Sequence, residues 1–409
     1  MKGIVSMVNV AILGFGIVGS GAAEVLADNR AVIEKKLGTT VAVKRILDLR
    51  EFPDSPFGHL VTHDFNEIVN DPDISIVAEM MGDSHPAYDF TKACLEAGKS
   101  VVTSNKEVVA RFGAELLALA KANGVRYLFE ASVGGGIPIL RPLVNDLASN
   151  AICEVSGILN GTTNYILTQM LENGTAYEDA LRDAQKKGYA EANPAADVEG
   201  LDAARKIVIL AALSFGTLLS PDKIHCEGIT AITAEDAETA KRFGCSVKLI
   251  GHTEMVDGRV LAMVSPRMIP TSNPLSGVSD VFNGILVDAN MVGEVMFYGR
   301  GAGKLPTASA VVADIIDIVA HMNTEVKSPV FTVATDADYA DFDAYACRSC
   351  FSFANEAGAA EKIASVFGDA ATVTVADRIA VIGDAMTETE AAKAAAATGL
   401  TLVSRIRVL

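Results

Sequence analysis

Between Gly188 and Lys206 the chain reads GYAEANPAADVEGLDAARK, with carboxylates at Glu191, Asp197, Glu199 and Asp202 and an ammonium at Lys206. Asp202 and Lys206 are four residues apart, so a helix would place them on one face. The residues that follow, IVILAALSF, are apolar all round, which marks a buried helix. A charged pair at the entry of such a helix needs partners or a cleft. A lysine there is a candidate proton donor, and its carboxylate neighbour sets its orientation and charge state. Asp197 and Glu199 also suit the positive end of a helix dipole, which contributes a few tenths to about 1 kcal/mol each.

Other residues point to nucleotide chemistry. Gly14-Phe15-Gly16-Ile17-Val18-Gly19 is a G-x-G-x-x-G that follows the apolar run VNVAIL and opens a helical stretch. In that setting the first glycine makes a tight turn and the second lets the backbone approach a pyrophosphate. The third lets helix and strand pack closely, with the phosphates on the helix N-terminus. The second strand ends at Asp48, and Arg50 stands two residues on. An acid suits the ribose hydroxyls of NAD and an arginine the 2′-phosphate of NADP, so both cofactors stay open. Lys106 follows the strand SVVT, at the carboxyl end where open α/β sheets bind ligands. There it is placed to meet a nicotinamide ribose or a carbonyl oxygen. Glu130 precedes the loop from Val133 through Gly135 to Ile137, whose freely exposed carbonyls suit a hard cation.

Composition narrows the remaining classes. Of 409 residues half are apolar, none is Trp, and the formal net charge is -17. That balance repels nucleic acid and anionic membranes. Six cysteines are scattered, and only Cys347 and Cys350 are close. In the strand-like AYACRSCFSF they point to opposite faces, and no second pair completes a zinc site. The thiols read as those of a reduced, cytoplasmic protein. The run from Gly3 to Gly19 is apolar, but Asn9 and three glycines interrupt it. It reads as a buried strand entering a glycine turn, not as a membrane span or a signal peptide.

The elements that must position these residues follow from periodicity. The first third alternates strands (VNVAILGFG, TVAVKRILDL, ISIVAEMMG, KSVVTSN, VRYLFEAS) with helices (SGAAEVLADNRAVIEKKL, PAYDFTKACLEAGK, GAELLALAKANG). That alternation predicts an α/β, Rossmann-type doubly wound sheet. A mixed α+β region follows. Then comes PTASAVVADIIDIVAHMN, a helix with a strong apolar face. From about residue 344 the order is strand, helix, strand, strand, helix, strand, the split βαβ, ferredoxin-like arrangement.

At these residues the chain resembles a homoserine dehydrogenase. The resemblance covers about residues 7–330. It rests on the glycine fingerprint, VVTSNK, EASVGGGIPI, GILNGTTNYIL, GYAEANPAADVEGLDAARK and YGRGAGKLPTASAVVAD. It implies NAD(P)H-dependent reduction of L-aspartate 4-semialdehyde to L-homoserine, on the route to threonine and methionine. Gly14, Phe15, Gly16, Ile17, Val18 and Gly19 would bind the nucleotide together with Arg50, Lys106 and Gly301. Glu130, with the backbones of Val133, Gly135 and Ile137, would match the family's sodium site. Glu191 would hold the substrate amino group and Asp202 the substrate hydroxyl or carbonyl end, with Asp197 also at the substrate. Lys206 would be the general acid, with Asp202 and Lys106 as the other catalytic residues. The implied domains are 1–133 with 305–330 returning for the dinucleotide, and 134–304 for substrate and dimerisation. A linker over 331–343 and an ACT-like domain over 344–409 would follow. A homodimer or homotetramer is implied. The tail is shorter than the family's usual ACT domain. Its first loop reads ANEAGAA where an aspartate-x-proline-glycine is typical.

Two alternatives stand beside this reading. A dehydrogenase of another small oxo acid is disfavoured by the Gly188–Lys206 signature. An amino-acid-sensing regulator with a vestigial nucleotide fold is disfavoured by the joint presence of Lys106, Glu191, Asp202 and Lys206.

Overall fold

The computed structural model of the chain describes residues 7–409. The start of the apolar run at Gly3 and the first residues of the expected dinucleotide domain lie outside the described residues. The chain divides into two units. The first comprises Met1–Ser149, Ala212–Ser220 and Gly299–Val333, and the second Asn150–Ala211, Pro221–Tyr298 and Ala334–Leu409. Among the described residues no helix is long and apolar enough to cross a membrane.

Among the described residues the main sheet of the first unit has six parallel strands: β1 (Met7–Leu13), β2 (Thr40–Leu47), β3 (Val61–Thr62), β4 (Ile74–Glu79), β5 (Ser100–Thr103) and β6 (Tyr127–Leu128). They lie in the order β3-β2-β1-β4-β5-β6. This is the doubly wound sheet that the alternation predicts. The strands are near-continuous aliphatic runs because helices cover both faces. Val10, Ala11, Ile12 and Leu13 of β1 are fully buried. The stretch SGAAEVLADNRAVIEKKL is not one helix. It breaks into α1 (Ile17–Asp28) and α2 (Arg30–Leu37), because Asn29 leaves helical geometry at φ -96 and ψ 13. Next come α3 (Ala87–Glu96) and α4 (Lys106–Ala122). Helix α4 starts earlier than periodicity suggests because the Asn105 side chain caps it, accepting from Val108 N–H at 3.2 Å. The helix Lys304–Ala320 returns to this unit, and Ala308, Val311 and Ile315 share a core with Ile12, Ala22 and Leu26.

The second unit is built on a ten-stranded mixed sheet. Its middle part has β7 (Ile152–Ile158), β8 (Cys245–Val256), β9 (Arg259–Pro270), β10 (Phe282–Ala289) and β11 (Gly293–Arg300). Strands β8 and β9 form a long hairpin, closed at Asp257-Gly258, where both φ angles are positive. Helices α5 (Gly161–Asn173), α6 (Leu201–Phe215, in this unit as far as Ala211) and α7 (Ala234–Arg242) follow. The C-terminal module adds β12 (Ser349–Ala354), β13 (Thr372–Val375), β14 (Arg378–Ile382) and β15 (Leu402–Val408), with helices Ala359–Phe367 and Glu388–Ala397. Its strands run β15-β12-β14-β13, the ferredoxin-like arrangement.

Residues 134–149 belong to the first unit, and the return to it starts at Gly299. The C-terminal module does not separate from the second unit. Strand β15 pairs in parallel with β9, Arg267 opposite Arg407 and Met268 opposite Val408. One sheet therefore runs through both parts. Arg407 reinforces the seam by pairing with Glu227 at 2.9 Å and Glu388 at 3.1 Å. Cys347 and Cys350 are free and buried, and burial pushes the Cys350 thiol up to about 12. Neither has the character of a reactive thiolate.

Candidate active site

The signature after Gly188 folds into a loop, a short helix at Ala195–Val198, and α6. Asp202 and Lys206 sit in the first two turns of α6 and are only 5% and 8% exposed. Lys206 Nζ donates to Asp202 Oδ2 at 2.7 Å and to the Leu159 carbonyl, also at 2.7 Å. The second bond ties the ammonium to the segment that leaves β7. The ion pair is therefore fixed from two elements.

Asn160, the next residue, completes the cluster. Its Nδ2 donates to Asp197 Oδ1 at 2.7 Å and to Asp202 Oδ2 at 2.8 Å. Its Oδ1 accepts from Thr163 N–H at 2.9 Å and so caps α5. The helix thereby fixes which side of the amide faces the carboxylates. Sequence reading missed Asn160. Asn-Gly before a helical run signals a cap, but nothing local says that the same amide bridges two acids more than thirty residues on.

Asp197 is thus brought to the cluster, and Glu199 is left exposed. Glu191 is also exposed, on the loop before the short helix. Its backbone carbonyl accepts from Gln185 Nε2 at 3.1 Å. Among the described residues no hydrogen bond draws its carboxylate into the cluster.

In the first unit the fingerprint glycines differ in what they do. Gly14 has φ +88, and a Cβ there would meet the Met80 carbonyl oxygen at 2.8 Å. A Cβ on Gly19 would collide with the Gly14 carbonyl. Both are demanded by the fold. A Cβ on Gly16 would meet nothing within 4 Å, and Gly16 caps α1 at φ -77, open to any residue. The protein's own packing gives no reason for glycine there, whereas a pyrophosphate on the helix N-terminus does. The residues fit a dinucleotide. Phe15 is buried, with Phe52 edge-on to its ring at 5.0 Å, while Ile17 is exposed and Val18 half-buried.

Asp48 and Arg50 are locked together. Arg50 donates through Nε and Nη2 at 3.0 Å each, and Phe15 N–H adds a bond at 2.7 Å. Burial alone would raise the Asp48 carboxyl, but Arg50 and these N–H groups hold it at about 2. Lys106 is half-buried at the first position of α4, directly after the carboxyl end of β5.

Glu130, expected at the cation loop, has its carboxylate engaged by the protein. Its carboxylate does not turn towards the loop carbonyls. It accepts from the N–H groups of Ile139 (2.7 Å), Leu140 (2.8 Å) and Arg141 (2.7 Å), the unpaired donors of the helical segment beginning there. Those bonds take three of its four lone-pair positions. A cation at this loop must rely on backbone carbonyls, which Glu130, Val133, Gly135 and Ile137 can each supply. Gly134 and Gly135 have φ +71 and +55, so the chain curls through successive left-handed residues. Gly135 rests on the backbone of Gly301, where a Cβ would collide, and Gly136 N–H bonds Arg300 O at 3.0 Å. The expected cation loop and the GRGAG segment are therefore one packed structure. Among the described residues no cluster of three His, Cys, Asp or Glu side chains forms a metal site.

Comparison with known proteins shows what the chain is similar to. A family model described as homoserine dehydrogenase matches residues 138–316. A second, its NAD binding domain, matches residues 14–130. The homoserine dehydrogenase of Synechocystis is 44% identical over 328 residues, covering 79% of this chain and 76% of that protein. The crystal structure of a homoserine dehydrogenase from Thiobacillus denitrificans superposes with a TM-score of 0.91 at 34% identity, covering 99% of both chains. A hyperthermophilic archaeal homoserine dehydrogenase mutant in complex with NADPH gives 0.67 at 29% identity, over 78% of this chain and 100% of that one.

Proposed function

The chain belongs to the homoserine dehydrogenase family, and on that premise we propose which of its residues carry the reaction. The enzyme is an NAD(P)-dependent oxidoreductase acting on a CH–OH group. The reaction interconverts L-homoserine and L-aspartate 4-semialdehyde. The bound nicotinamide nucleotide supplies or accepts the hydride.

Lys206 is the proton donor. As the aldehyde carbon gains hydride, charge develops on its oxygen, and the Lys206 ammonium protonates that oxygen. In the oxidative direction the same nitrogen takes the hydroxyl proton. Asp202 holds the ammonium in place. Asn160 keeps Asp202 and Asp197 in register with it. The observation that carries this assignment is the buried Lys206–Asp202 pair, anchored to the Leu159 carbonyl. Homoserine oxidation by a Lys206→Ala variant, followed beside nucleotide binding, tests it.

Glu191 is assigned to the substrate ammonium, and its exposure suits a group that must meet an incoming ligand. Gly14–Gly19, Lys106 and Gly301 are assigned to the nucleotide. For the ribose end, a diol would compete with Arg50 for Asp48, and a 2′-phosphate would compete with Asp48 for Arg50. Assays with NAD and NADP compare the two directly. Sodium is assigned to the carbonyls of the Glu130–Ile137 loop. A homo-oligomer is supported by β11, which ends the sheet with Tyr298 exposed, beside exposed Met291 and Val292. Free cysteines support a reducing, cytoplasmic setting.

A further inference from the structure

Glu79 occupies the last position of β4, opposite Leu13 of β1 on one side and Thr103 of β5 on the other. It is fully buried between aliphatic strands. A carboxyl group is costly in such a place unless hydrogen bonds satisfy it. Its Oε1 accepts from Met81 N–H at 2.7 Å. Its Oε2 bonds the Thr103 hydroxyl at 2.6 Å. Burial raises its pKa, against the hydrogen bonds from Thr103 and Met81.

These bonds reach two loops. On one side, Met80 and Met81 lie directly against the fingerprint turn. The Met80 carbonyl is the atom that leaves no room for a Cβ at Gly14, and Met80 N–H bonds Leu13 O at 2.8 Å. On the other side, Thr103 Oγ1 accepts from Asn105 N–H at 2.8 Å. Asn105 then caps α4, whose first residue is Lys106, and its Nδ2 donates to Asp83 O at 2.8 Å. One carboxyl group thus links the backbone under Gly14 to the backbone before Lys106.

We infer that Glu79 is a positioning residue for the nucleotide, setting the gap between the glycine turn and the Lys106 side chain by holding Met81 and Thr103 at a fixed separation. It touches neither substrate nor reacting atoms. The inference rests on the assignment of Gly14–Gly19 and Lys106 to the nucleotide.

A purely structural role is separable from this one, because a buried polar group from outside the strand is bonded at its other end. Lys99 donates to Asp71 O at 2.6 Å and Ile74 O at 2.7 Å, beside the start of β4. The test compares Glu79→Gln, Thr103→Val, their double variant and Lys99→Met by melting temperature and by KM for nucleotide and for homoserine. Glu79→Gln keeps the side-chain volume. It should raise the nucleotide KM by about tenfold or more, since small misplacements of binding groups cost that much. Homoserine KM should stay near its original value. Thr103→Val should act in the same direction, and the double variant should be no worse than the worse single change, as for two ends of one link. Lys99→Met should lower the melting temperature and leave the nucleotide KM unchanged. A nucleotide KM in Glu79→Gln equal to the unmodified enzyme's overturns the inference, as does an equal rise in Lys99→Met at matched loss of stability. If Glu79→Gln does not fold, Thr103→Val decides by the same KM criterion. Failure of the underlying assignment looks different: a Gly16→Val variant would then bind nucleotide as well as the unmodified enzyme.

Discussion

Lys206 and Asp202 face each other across one turn of α6 with 2.7 Å between Nζ and Oδ2, where both side chains are almost closed to solvent. Removing either partner strands a charge in a poorly solvated place, and such a loss typically costs about 3–5 kcal/mol. Lys206→Ala should therefore lower both stability and turnover. The turnover loss should be about a hundredfold or more, the usual scale for a lost general acid. Nucleotide binding should survive. Near-normal turnover would remove Lys206 from the mechanism.

Asn160→Ala deletes the amide that donates to both Asp197 and Asp202. The two carboxylates then lose their shared donor and drift. Homoserine KM should rise by about tenfold, with the nucleotide KM unchanged. A rise confined to the nucleotide would show that the bridge does not serve the substrate.

Glu191→Ala should mainly raise the homoserine KM, because it removes a charge partner of the amino group. Glu191 is exposed, so the melting temperature should hardly move. An unchanged KM would argue that another group receives the ammonium.

Gly16→Ala and Gly19→Ala separate fold from ligand within one motif. At Gly16 a methyl group meets open space. Stability should stay within about 0.5 kcal/mol, as for most surface changes, while the nucleotide KM rises. At Gly19 a methyl group collides with backbone, so the protein should be strongly destabilised. Calorimetry with nucleotide titration reads both. Equal effects at the two positions would refute the division.

The seam between β9 and β15 gives a pH dependence. Burial would raise the Glu227 carboxyl, but His225 and Arg407 hold it at about 2, below its ordinary value of 4.5. A carboxyl lowered on folding contributes stability above the unfolded value, and loses it as pH falls from there towards the folded value. Glu227→Gln should cost about 1 kcal/mol near neutrality, because solvent reaches the carboxylate and screens its pairs. The difference from the unmodified enzyme should shrink as pH drops from 4.5 towards 2. A difference independent of pH would show that packing, not charge, accounts for it.

What the sequence conveyed followed local rules. The helix after Lys206 is apolar on every side, so the burial of Asp202 and Lys206 was legible. So was the first sheet, whose strands are aliphatic runs spaced by helices. What was hidden depends on distant partners. Glu130 looks like a cation ligand beside its glycines, yet its carboxylate goes to the N–H groups of Ile139, Leu140 and Arg141. Glu79 reads as the end of a strand, and only tertiary pairing shows that Thr103 and Met81 converge on it. The C-terminal module reads as a separate domain because its strand order is complete in itself. Nothing near Arg407 announces Arg267 as its neighbour.

That last pairing bears on how the second unit folds. Without Leu402–Val408 in place, β9 and β12 would each present a bare row of backbone donors and acceptors. Bringing Arg407 beside Arg267 closes a very long loop, and contacts of such sequence separation are slow to form. Pairing of this sequence separation should therefore be among the later contacts of the second unit to form.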